Sequence, residues 1–140
     1  MTVILKTFQI MTKPFCDIID ITHHVQSAIH ESGITNGIVN VSVAGSTGAI
    51  STTEYEPGLV KHDIENLLES IIPYDKNYHH HKPWGDRNGG GHLRSFLLKT
   101  SQTFPFQNRN LILGTWQQII FLELDEKSRS RTIYIQILGE

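Results

Sequence analysis

The sequence predicts one α+β domain in which mainly antiparallel β-sheets pack together with two main helices and one short helix. Its 140 residues are enough for a single domain with a buried core. Strand-like segments occur in neighbouring groups instead of alternating with helices, which favours α+β over parallel βαβ units. A hydrophobic content of 39% with 19% charged residues is typical of a globular chain. We therefore treat residues 1–140 as a single domain.

In the first half of the chain, the apolar pattern predicts three strands and one helix. Residues 3–12 are rich in β-branched and apolar side chains and form the first predicted strand. A helix follows, with Thr22 as its cap and Gly33 as its end, because its apolar residues recur at helical spacing. Residues 37–43 alternate valine with polar side chains, which is typical of a half-buried strand, and residues 49–55 are also β-prone.

The middle of the chain predicts a second helix, a loop and a short helix. The second helix begins at residues 56–58 and ends at Pro73. Its apolar residues share one helical face: Val60, Ile64, Leu67, Leu68 and Ile71. Residues 74–91 form the one long irregular segment, and such segments in compact domains are usually functional or disordered. Residues 92–100 predict the short helix.

The last third of the chain predicts strands. One covers residues 102–106, and a longer one covers residues 111–124. A polar turn at residues 125–130 predicts a hairpin between this longer strand and residues 132–138. Both strands of that hairpin carry apolar residues on both faces, so we expect cover on both sides from helices or from another subunit.

Charge and composition exclude several classes of function. A formal net charge of −2 gives no field that would attract nucleic acid or an anionic membrane. No apolar run reaches the length of a bilayer span, and the first residues predict no signal peptide. The lone Cys16 cannot form an intrachain disulfide and has no activating neighbour in sequence. We expect a cytoplasmic protein without nucleic-acid or membrane partners.

The chemistry is expected between Tyr78 and His92. The chain has eight histidines, and four of them lie between His79 and His92. Neutral imidazole is a good ligand for zinc and similar ions, so His80 and His92, at the two ends of the loop, could close around a divalent metal. The alternative is a solvated histidine patch with His92 at a helix start.

Several sequence segments resemble the YjbQ-like family, with an archaeal or thermophile-type variant as one alternative. Gly114-Thr115-Trp116-Gln117 stands within a strand-like segment, and the chain closes on Gly139-Glu140. Tyr78-x-His80 and His92-Leu93-Arg94 flank the loop, and Lys61-His62-Asp63 lies on the second predicted helix. The likeness runs nearly from end to end.

The resemblance implies a small domain of packed sheets, usually a homotrimer, often with a metal or anion near the subunit boundary. Such proteins are described as secondary thiamine-phosphate synthases. They join a hydroxymethylpyrimidine diphosphate to a thiazole phosphate and release pyrophosphate. One departure concerns the site, since many relatives carry a histidine followed by two hydroxyl residues where this chain has Gly45-Ser46-Thr47.

A third metal ligand is needed beside His80 and His92. His62 is the candidate, with Asp63 orienting an imidazole from outside the coordination sphere, because the pair resembles a family position. The alternative is an exposed helix residue, and His79 or His81 could replace it.

Phosphate recognition and acid–base chemistry have separate candidates. Arg94 supplies positive charge, and the turn of Ser46 and Thr47 can present backbone N–H groups to an anion. Thr115 and Gln117 supply neutral donors and acceptors. Glu54 is a candidate for acid–base work. Trp116 could line a pocket for a flat heterocycle, but an aromatic residue in a central strand is more often in the core.

Two hypotheses follow. The leading one is a homotrimeric, metal-dependent transferase, with thiamine-phosphate formation as the best named reaction and a divalent metal, zinc among the candidates, as cofactor. The other is a non-catalytic trimer that binds a metal or a small phosphorylated metabolite, which the glycine at position 45 favours.

Overall fold

The computed structural model describes residues 1–140. Its strands are β1 (Thr2–Met11), β2 (Asp17–Asp20), β3 (Gly37–Val43), β4 (Gly48–Thr53), β5 (Ser101–Gln107), β6 (Asn110–Leu111), β7 (Gln118–Glu123) and β8 (Ser130–Gly139). Its helices are α1 (Thr22–Ser32), α2 (Ile64–Ile71), α3 (His81–Trp84) and α4 (Gly89–Leu98). A π-helical turn, Leu59–Asp63, runs directly into α2.

The strands form two sheets, and every strand pair in them is antiparallel. The larger sheet has the order β1-β8-β3-β5-β6, and the smaller has the order β2-β7-β4. In the larger sheet the first strand pairs with the last over its whole length, from Thr2 opposite Gly139 to Met11 opposite Ser130. The predicted α+β class with mainly antiparallel sheets is confirmed.

The two sheets and the helices pack together through two apolar cores. The larger core joins α1 and the inner face of the five-stranded sheet to one face of the three-stranded sheet, through residues such as Val25, Ile135 and Phe121. The smaller core joins the other face of the three-stranded sheet to α2, with Leu122 and Leu68 among its members. The three-stranded sheet therefore lies between a sheet and a helical layer.

Burial on both faces explains the continuous apolar run of β7. Ile119 and Phe121 belong to the larger core, while Ile120 and Leu122 belong to the smaller one. The expected cover on both sides thus comes, for β7, from within the chain. On β8 only the face with Ile133, Ile135 and Ile137 is buried.

The predicted hairpin between residues 111–124 and 132–138 is wrong. The first segment is divided into β6 and β7, and β7 pairs with β2 and β4. β8 pairs with β1 and β3 in the other sheet. The polar turn carries the chain from the smaller sheet to the larger one. A turn signal in the sequence does not show whether the two flanking strands pair with each other or belong to different sheets.

The helices follow the predicted pattern except around the loop. Gly33 follows α1 in the left-handed conformation with φ 74°, so the predicted end of this helix is confirmed. Thr22, predicted as the cap, is the first residue of the helix, and the N-cap is Ile21. α4 begins at Gly89 instead of residue 92, and the short α3 interrupts the predicted loop. The sequence predicts no strand at the position of β2, because four residues are too few for a periodic signal. None of the helices has the length and apolar character needed to cross a bilayer.

A buried charged network holds the two sheets together where the chain crosses between them. Glu123, at the end of β7, is fully buried and receives the Arg131 guanidinium from β8 through Nε and Nη2. Thr12 Oγ1, just after β1, donates to the same carboxylate at 2.7 Å. Arg131 Nη2 also donates to Thr47 Oγ1, just before β4, at 2.8 Å. Buried charges persist only when paired and hydrogen-bonded, and these are both.

Asp125 extends the network into the turn after β7. Its buried carboxylate accepts hydrogen bonds from the Arg129 guanidinium at 2.7 Å and from Thr47 Oγ1 at 3.0 Å. Burial alone would raise its pKa, but the bonds from Arg129, the Glu126 amide and Thr47 together hold the pKa of Asp125 below its ordinary value. Asp125 therefore stays ionised at neutral pH.

We predict that Asp125→Asn lowers the free energy of unfolding by about 1–2 kcal/mol at pH 7, because Arg129 loses its buried partner. A carboxyl with a lowered folded pKa contributes stability above its unfolded pKa of about 3.9 and loses it as pH falls through the folded value. The difference in the free energy of unfolding between the variant and the native protein should therefore become smaller below about pH 4. Urea unfolding at several pH values measures it.

The matched control is Asp75→Asn, since the Asp75 side chain is 96% exposed. It should leave the unfolding free energy unchanged at every pH. If the difference in unfolding free energy between Asp125→Asn and the native protein stays constant from pH 7 to pH 3, the stabilising role of the ionised Asp125 carboxylate is contradicted.

Candidate functional site

The residues predicted to form one site lie at two ends of β4. Ser46 and Thr47 precede this strand, and Glu54 follows it. A six-residue strand at about 3.3 Å per residue separates these ends by roughly 20 Å. Because β7 runs antiparallel to β4, Gln118 lies opposite Thr53, so Thr115 and Gln117 belong to the Glu54 end. A single copy of the chain does not bring the two groups together.

At the Glu54 end, a cleft of about 410 Å³ is lined by Glu54, Thr115 and Trp116, among others. Trp116 is 72% exposed, so the prediction that it lies in the core is wrong. The Gln117 amide is held in place nearby, since Oε1 accepts from the Gly114 amide at 3.0 Å and Nε2 donates to Thr52 Oγ1 at 3.3 Å.

At the other end, His80 and His92 meet. Their ring centroids are 4.7 Å apart, as the two ends of the loop come together. His80 immediately precedes α3, and His92 lies in the first turns of α4. Both rings are partly exposed, so they remain accessible to a ligand.

The start of α4 is positioned by close packing against the end of β7. A Cβ on Gly91 would lie 2.1 Å from the Leu124 carbonyl oxygen, so only glycine permits this approach. Tyr74 donates to the same carbonyl at 2.9 Å, and burial with the nearby Asp125 raises the pKa of Tyr74, which keeps it protonated as a donor. Glycine has a low helix propensity, and residues 89–91 are all glycine, so the helix was predicted to begin only at His92.

A hydrogen-bonded chain from Asp125 orients His80. Asn88 Nδ2 lies 3.4 Å from Asp125 Oδ1, and since that carboxylate only accepts, the amide nitrogen must face it. Asn88 Oδ1 then faces His80 Nε2 at 3.2 Å and can only accept from it. A neutral His80 therefore carries its proton on Nε2, which leaves Nδ1 with a free lone pair.

Two buried polar atoms of the same loop have no hydrogen-bond partner: His81 Nδ1 and Asp86 Oδ1. Asp86 Oδ1 lies 3.6 Å from His80 Nε2, beyond hydrogen-bonding distance. His81 Nε2 accepts the Gly89 amide hydrogen at 3.0 Å and helps to hold α4. Unsatisfied buried polar atoms are rare in folded proteins, and hydrogen bonds to water or an ion are among their explanations.

The structure does not assemble the third predicted metal ligand. His62 and Asp63 are exposed on the π-helical turn before α2. No group of three or more His, Cys, Asp or Glu side chains lies close enough to hold a metal ion. His80 and His92 converge and His62 does not join them, because its face of the π-helical turn is directed to solvent.

Arg94, predicted as a phosphate-binding catalytic residue, is buried and already paired. It is 1% exposed and donates from Nη2 to Glu69 at 2.7 Å and to the Ile72 carbonyl at 2.9 Å. Its burial excludes the other interpretation of this residue, an exposed charge on a helix. Arg94 holds α4 against the end of α2, and its donors are not available to a ligand in this arrangement.

The turn of Ser46 borders a cleft of about 340 Å³ that also includes His92. Its other lining residues, which the sequence did not single out, are Ser95, Phe96, Lys99 and Thr100, with Gly45. Thr47 is instead engaged in the buried network, with Arg131 and Asp125. Lys99 lay inside a predicted helix, so its place beside the turn carried no sequence signal.

Two further side chains have structural explanations. Glu56 accepts hydrogen bonds from the Gly58 and Leu59 amides at 2.8 and 3.0 Å, and these bonds lower the pKa of Glu56. Glu56 therefore stabilises the start of the second helical segment. Burial, with a smaller contribution from Glu65, raises the pKa of Cys16 to about 11, so its thiol is not activated.

The comparisons with known proteins now decide the family. The model of the UPF0047 YjbQ-like proteins matches residues 6–140. The chain belongs to this family. It is 41% identical to a UPF0047 protein of the archaeon Methanothermobacter thermautotrophicus over all of this chain and 95% of that one. It is 35% identical to YugU of Bacillus subtilis, over 96% of this chain and 99% of YugU.

Solved structures show the same fold. A YbjQ-like protein of unknown function from Sulfolobus solfataricus superposes with a TM-score of 0.93 at 34% identity, covering 99% of each chain. A hypothetical protein from Aeropyrum pernix gives a TM-score of 0.89 at 30% identity, covering 97% of this chain and 98% of that one. These names state no reaction and no ligand, so they establish the family and the fold.

We predict that Arg94→Met lowers the free energy of unfolding by about 2 kcal/mol, because Glu69 and the Ile72 carbonyl lose their partner. Arg87→Met is the matched control, since the Arg87 side chain is 69% exposed and its contact with Asp75 is 3.5 Å long. Urea unfolding measures both variants. Equal stability of Arg94→Met and the native protein would show that the ion pair is not structural.

Proposed function

We propose that this protein binds a small phosphorylated metabolite with the help of a divalent metal, and that its reaction is of the thiamine-phosphate synthase type. The observation that carries the proposal is the approach of His80 and His92, 4.7 Å between ring centroids, beside the turn of Ser46. Metal ligands and an anion-accepting turn are the two parts that a diphosphate substrate requires.

The donor set fits a metal in part. His80 and His92 would hold the ion, zinc being the expected one, and oxygens of water or substrate would fill the remaining positions. The unpartnered Asp86 Oδ1 nearby adds negative charge, which favours a cation at this place. A bound divalent ion would neutralise the diphosphate leaving group. The orientation of His80 by Asn88 is the kind of support that metal-binding histidines usually have.

In the reaction, the bond between the pyrimidine methylene carbon and a diphosphate oxygen breaks. A carbon–nitrogen bond to the thiazole forms, and pyrophosphate leaves with the bonding electrons. The residues of this chain would bind and orient the phosphate at the turn of Ser46, through backbone N–H groups.

We further propose a homotrimer in which a neighbouring copy supplies Glu54, Thr115 and Gln117. These residues lie at the opposite end of β4 from the turn of Ser46, roughly 20 Å away along the strand within one chain, which is too far for a shared small ligand. Glu54 would then perform acid–base chemistry or accept a hydrogen bond from substrate. In a closed ring with rotational symmetry, a contact between the two ends at one boundary would be repeated at every boundary.

The second candidate function is a cytoplasmic, non-catalytic protein that binds a metal or a phosphorylated metabolite. The burial of Arg94 favours it, since the cation predicted to act on substrate is paired with Glu69. The exposed glycine at position 45, where many relatives have a histidine, favours it too. Stabilisation by a ligand without any turnover would support this candidate.

We predict that zinc binding to the untagged protein weakens at least about tenfold in His80→Ala and in His92→Ala, because each variant loses a ligand. Isothermal titration with Zn²⁺ and metal analysis after dialysis measure this. Formation of thiamine phosphate from its two precursors should fall in both variants.

Two control variants test whether His62 is a metal ligand or an exposed helix residue. His30→Ala removes a histidine from α1 and should bind zinc like the native protein. His62→Ala should also do so if His80 and His92 suffice. Unchanged zinc binding and turnover in both His80→Ala and His92→Ala would refute the proposed metal site.

A shared site makes a second prediction. Glu54→Gln and His80→Ala should each abolish turnover, yet coexpressed they should regain activity, because about a quarter of the boundaries in a mixed ring combine the two intact ends. Initial rates of purified mixed oligomers measure it. No regain of activity in proven mixed oligomers would place the site within one chain and leave Glu54 outside it.

A further inference from the structure

We infer that Lys99 is the phosphate-binding cation of this protein, acting in the cleft between the turn at residues 44–47 and the end of α4. The inference rests on the proposed function, because it assigns the anionic part of that ligand. It also replaces Arg94, which is buried against Glu69. Three independent features of the structure support it: the backbone of Lys99, the charge of the cleft, and the free donors of the turn.

The backbone of Lys99 is in a conformation that glycine normally occupies. Its φ is 77° and its ψ is 154°, a region in which a Cβ crowds the backbone. Residues held there persist only when the surrounding structure determines them, and they concentrate at ligand-binding sites. A lysine at this position carries a free-energy cost that a glycine would avoid, so its side chain must contribute something in return.

The sheets impose this conformation. The Lys99 amide donates to the Ser95 carbonyl at 2.8 Å and ends α4. The Lys99 carbonyl then accepts from the Ile50 amide of β4 at 3.1 Å, and the Thr100 carbonyl accepts from the Val43 amide of β3 at 3.0 Å. Because both strands hold the peptide between α4 and β5, the position of Lys99 beside the turn is fixed.

The cleft carries positive charge and no carboxylate. It measures about 340 Å³, and its lining residues are Gly45, Ser46, His92, Ser95, Phe96, Lys99 and Thr100. Lys99 is the single permanent cation among them. Lys99 Nζ lies 5.0 Å from the centroid of the Phe96 ring, which is 73% exposed. The ring holds the ammonium group at the rim of the cleft in the absence of an anion.

The turn opposite Lys99 offers unused donors. None of the four backbone amides of residues 44–47 donates a hydrogen bond within the chain. Arg131 lies directly behind the turn, since a Cβ on Gly45 would be 2.9 Å from Arg131 Nη1, and that nitrogen forms no hydrogen bond. The glycine therefore lets a guanidinium approach the turn from inside while Lys99 approaches from outside. Successive free N–H groups, together with the Lys99 ammonium group and the free Arg131 Nη1 donor, favour a phosphate dianion.

The test is pyrophosphate binding to the metal-free full-length protein, measured by isothermal titration calorimetry. Lys99→Met should weaken binding at least about tenfold, with an unchanged melting temperature because the backbone strain stays. Lys99→Arg, which keeps the charge, should bind within a few-fold of the native protein. Lys127→Met, which removes an exposed lysine outside the cleft, is the matched control and should bind like the native protein.

Lys99→Gly separates function from structure. It should raise the melting temperature by roughly 3 °C or more, because glycine relieves the strain, and should still weaken pyrophosphate binding like Lys99→Met. A stabilised glycine variant with native affinity would overturn the inference and leave Lys99 as a strained surface residue. Native affinity of Lys99→Met would overturn it as well.

The same experiments distinguish failure of this inference from failure of the proposed function. If the native protein binds no pyrophosphate, Lys99 has no such role, whereas zinc binding at His80 and His92 is measured separately. If pyrophosphate binds and Lys99 is not needed, the phosphate part of the proposed function stands with other donors. Acetate, tested at equal concentration, should compete at least about tenfold more weakly than pyrophosphate, and equal competition would refute phosphate recognition.

Discussion

The pairing of Glu123 with Arg131 is the constraint on which the rest of the structure depends. Both charges lie inside the protein, where an unpaired ion is very unfavourable, so the ends of β7 and β8 must meet although they belong to different sheets. Arg131 also binds Thr47 and thereby sets the turn before β4. Asp125, two residues after Glu123, orients Asn88 and through it His80. One polar cluster thus aligns the two sheets and fixes both walls of the histidine site.

This arrangement gives the two halves of the proposed site different characters. The histidine end is supported by buried ionic and hydrogen-bonded groups, so its geometry is set within one chain. The end with Glu54 and Trp116 is open, and its exposed aromatic ring has no cover from the same copy. In the homotrimer proposed above, a neighbouring subunit would cover this end, and the histidine end would bind the ligand.

Local signals in the sequence predicted the elements well and the pairing between them poorly. Alternation identified β3, and helical spacing with Gly33 identified α1, because these signals depend on neighbouring residues. The predicted hairpin failed because the partner of β7 is chosen by the core and by buried charge. Arg94 was expected to face a ligand. Its partner Glu69 lies 25 residues away in sequence, so local sequence signals do not reveal that Arg94 is buried and paired. A role for Lys99 was not predicted, because its backbone conformation depends on hydrogen bonds of residues 99 and 100 with β4 and β3.

The pairing of β1 with β8 has a consequence for how the protein folds during synthesis. The two strands are joined over ten residue pairs, and they come from opposite ends of the sequence. During synthesis, β1 is made before β8 and remains without its only neighbour in the sheet until β8 has followed. Contacts this distant in sequence slow folding and leave an unpaired strand edge open to other chains. Until β8 is available, the exposed edge of β1 is therefore a place where the chain can aggregate.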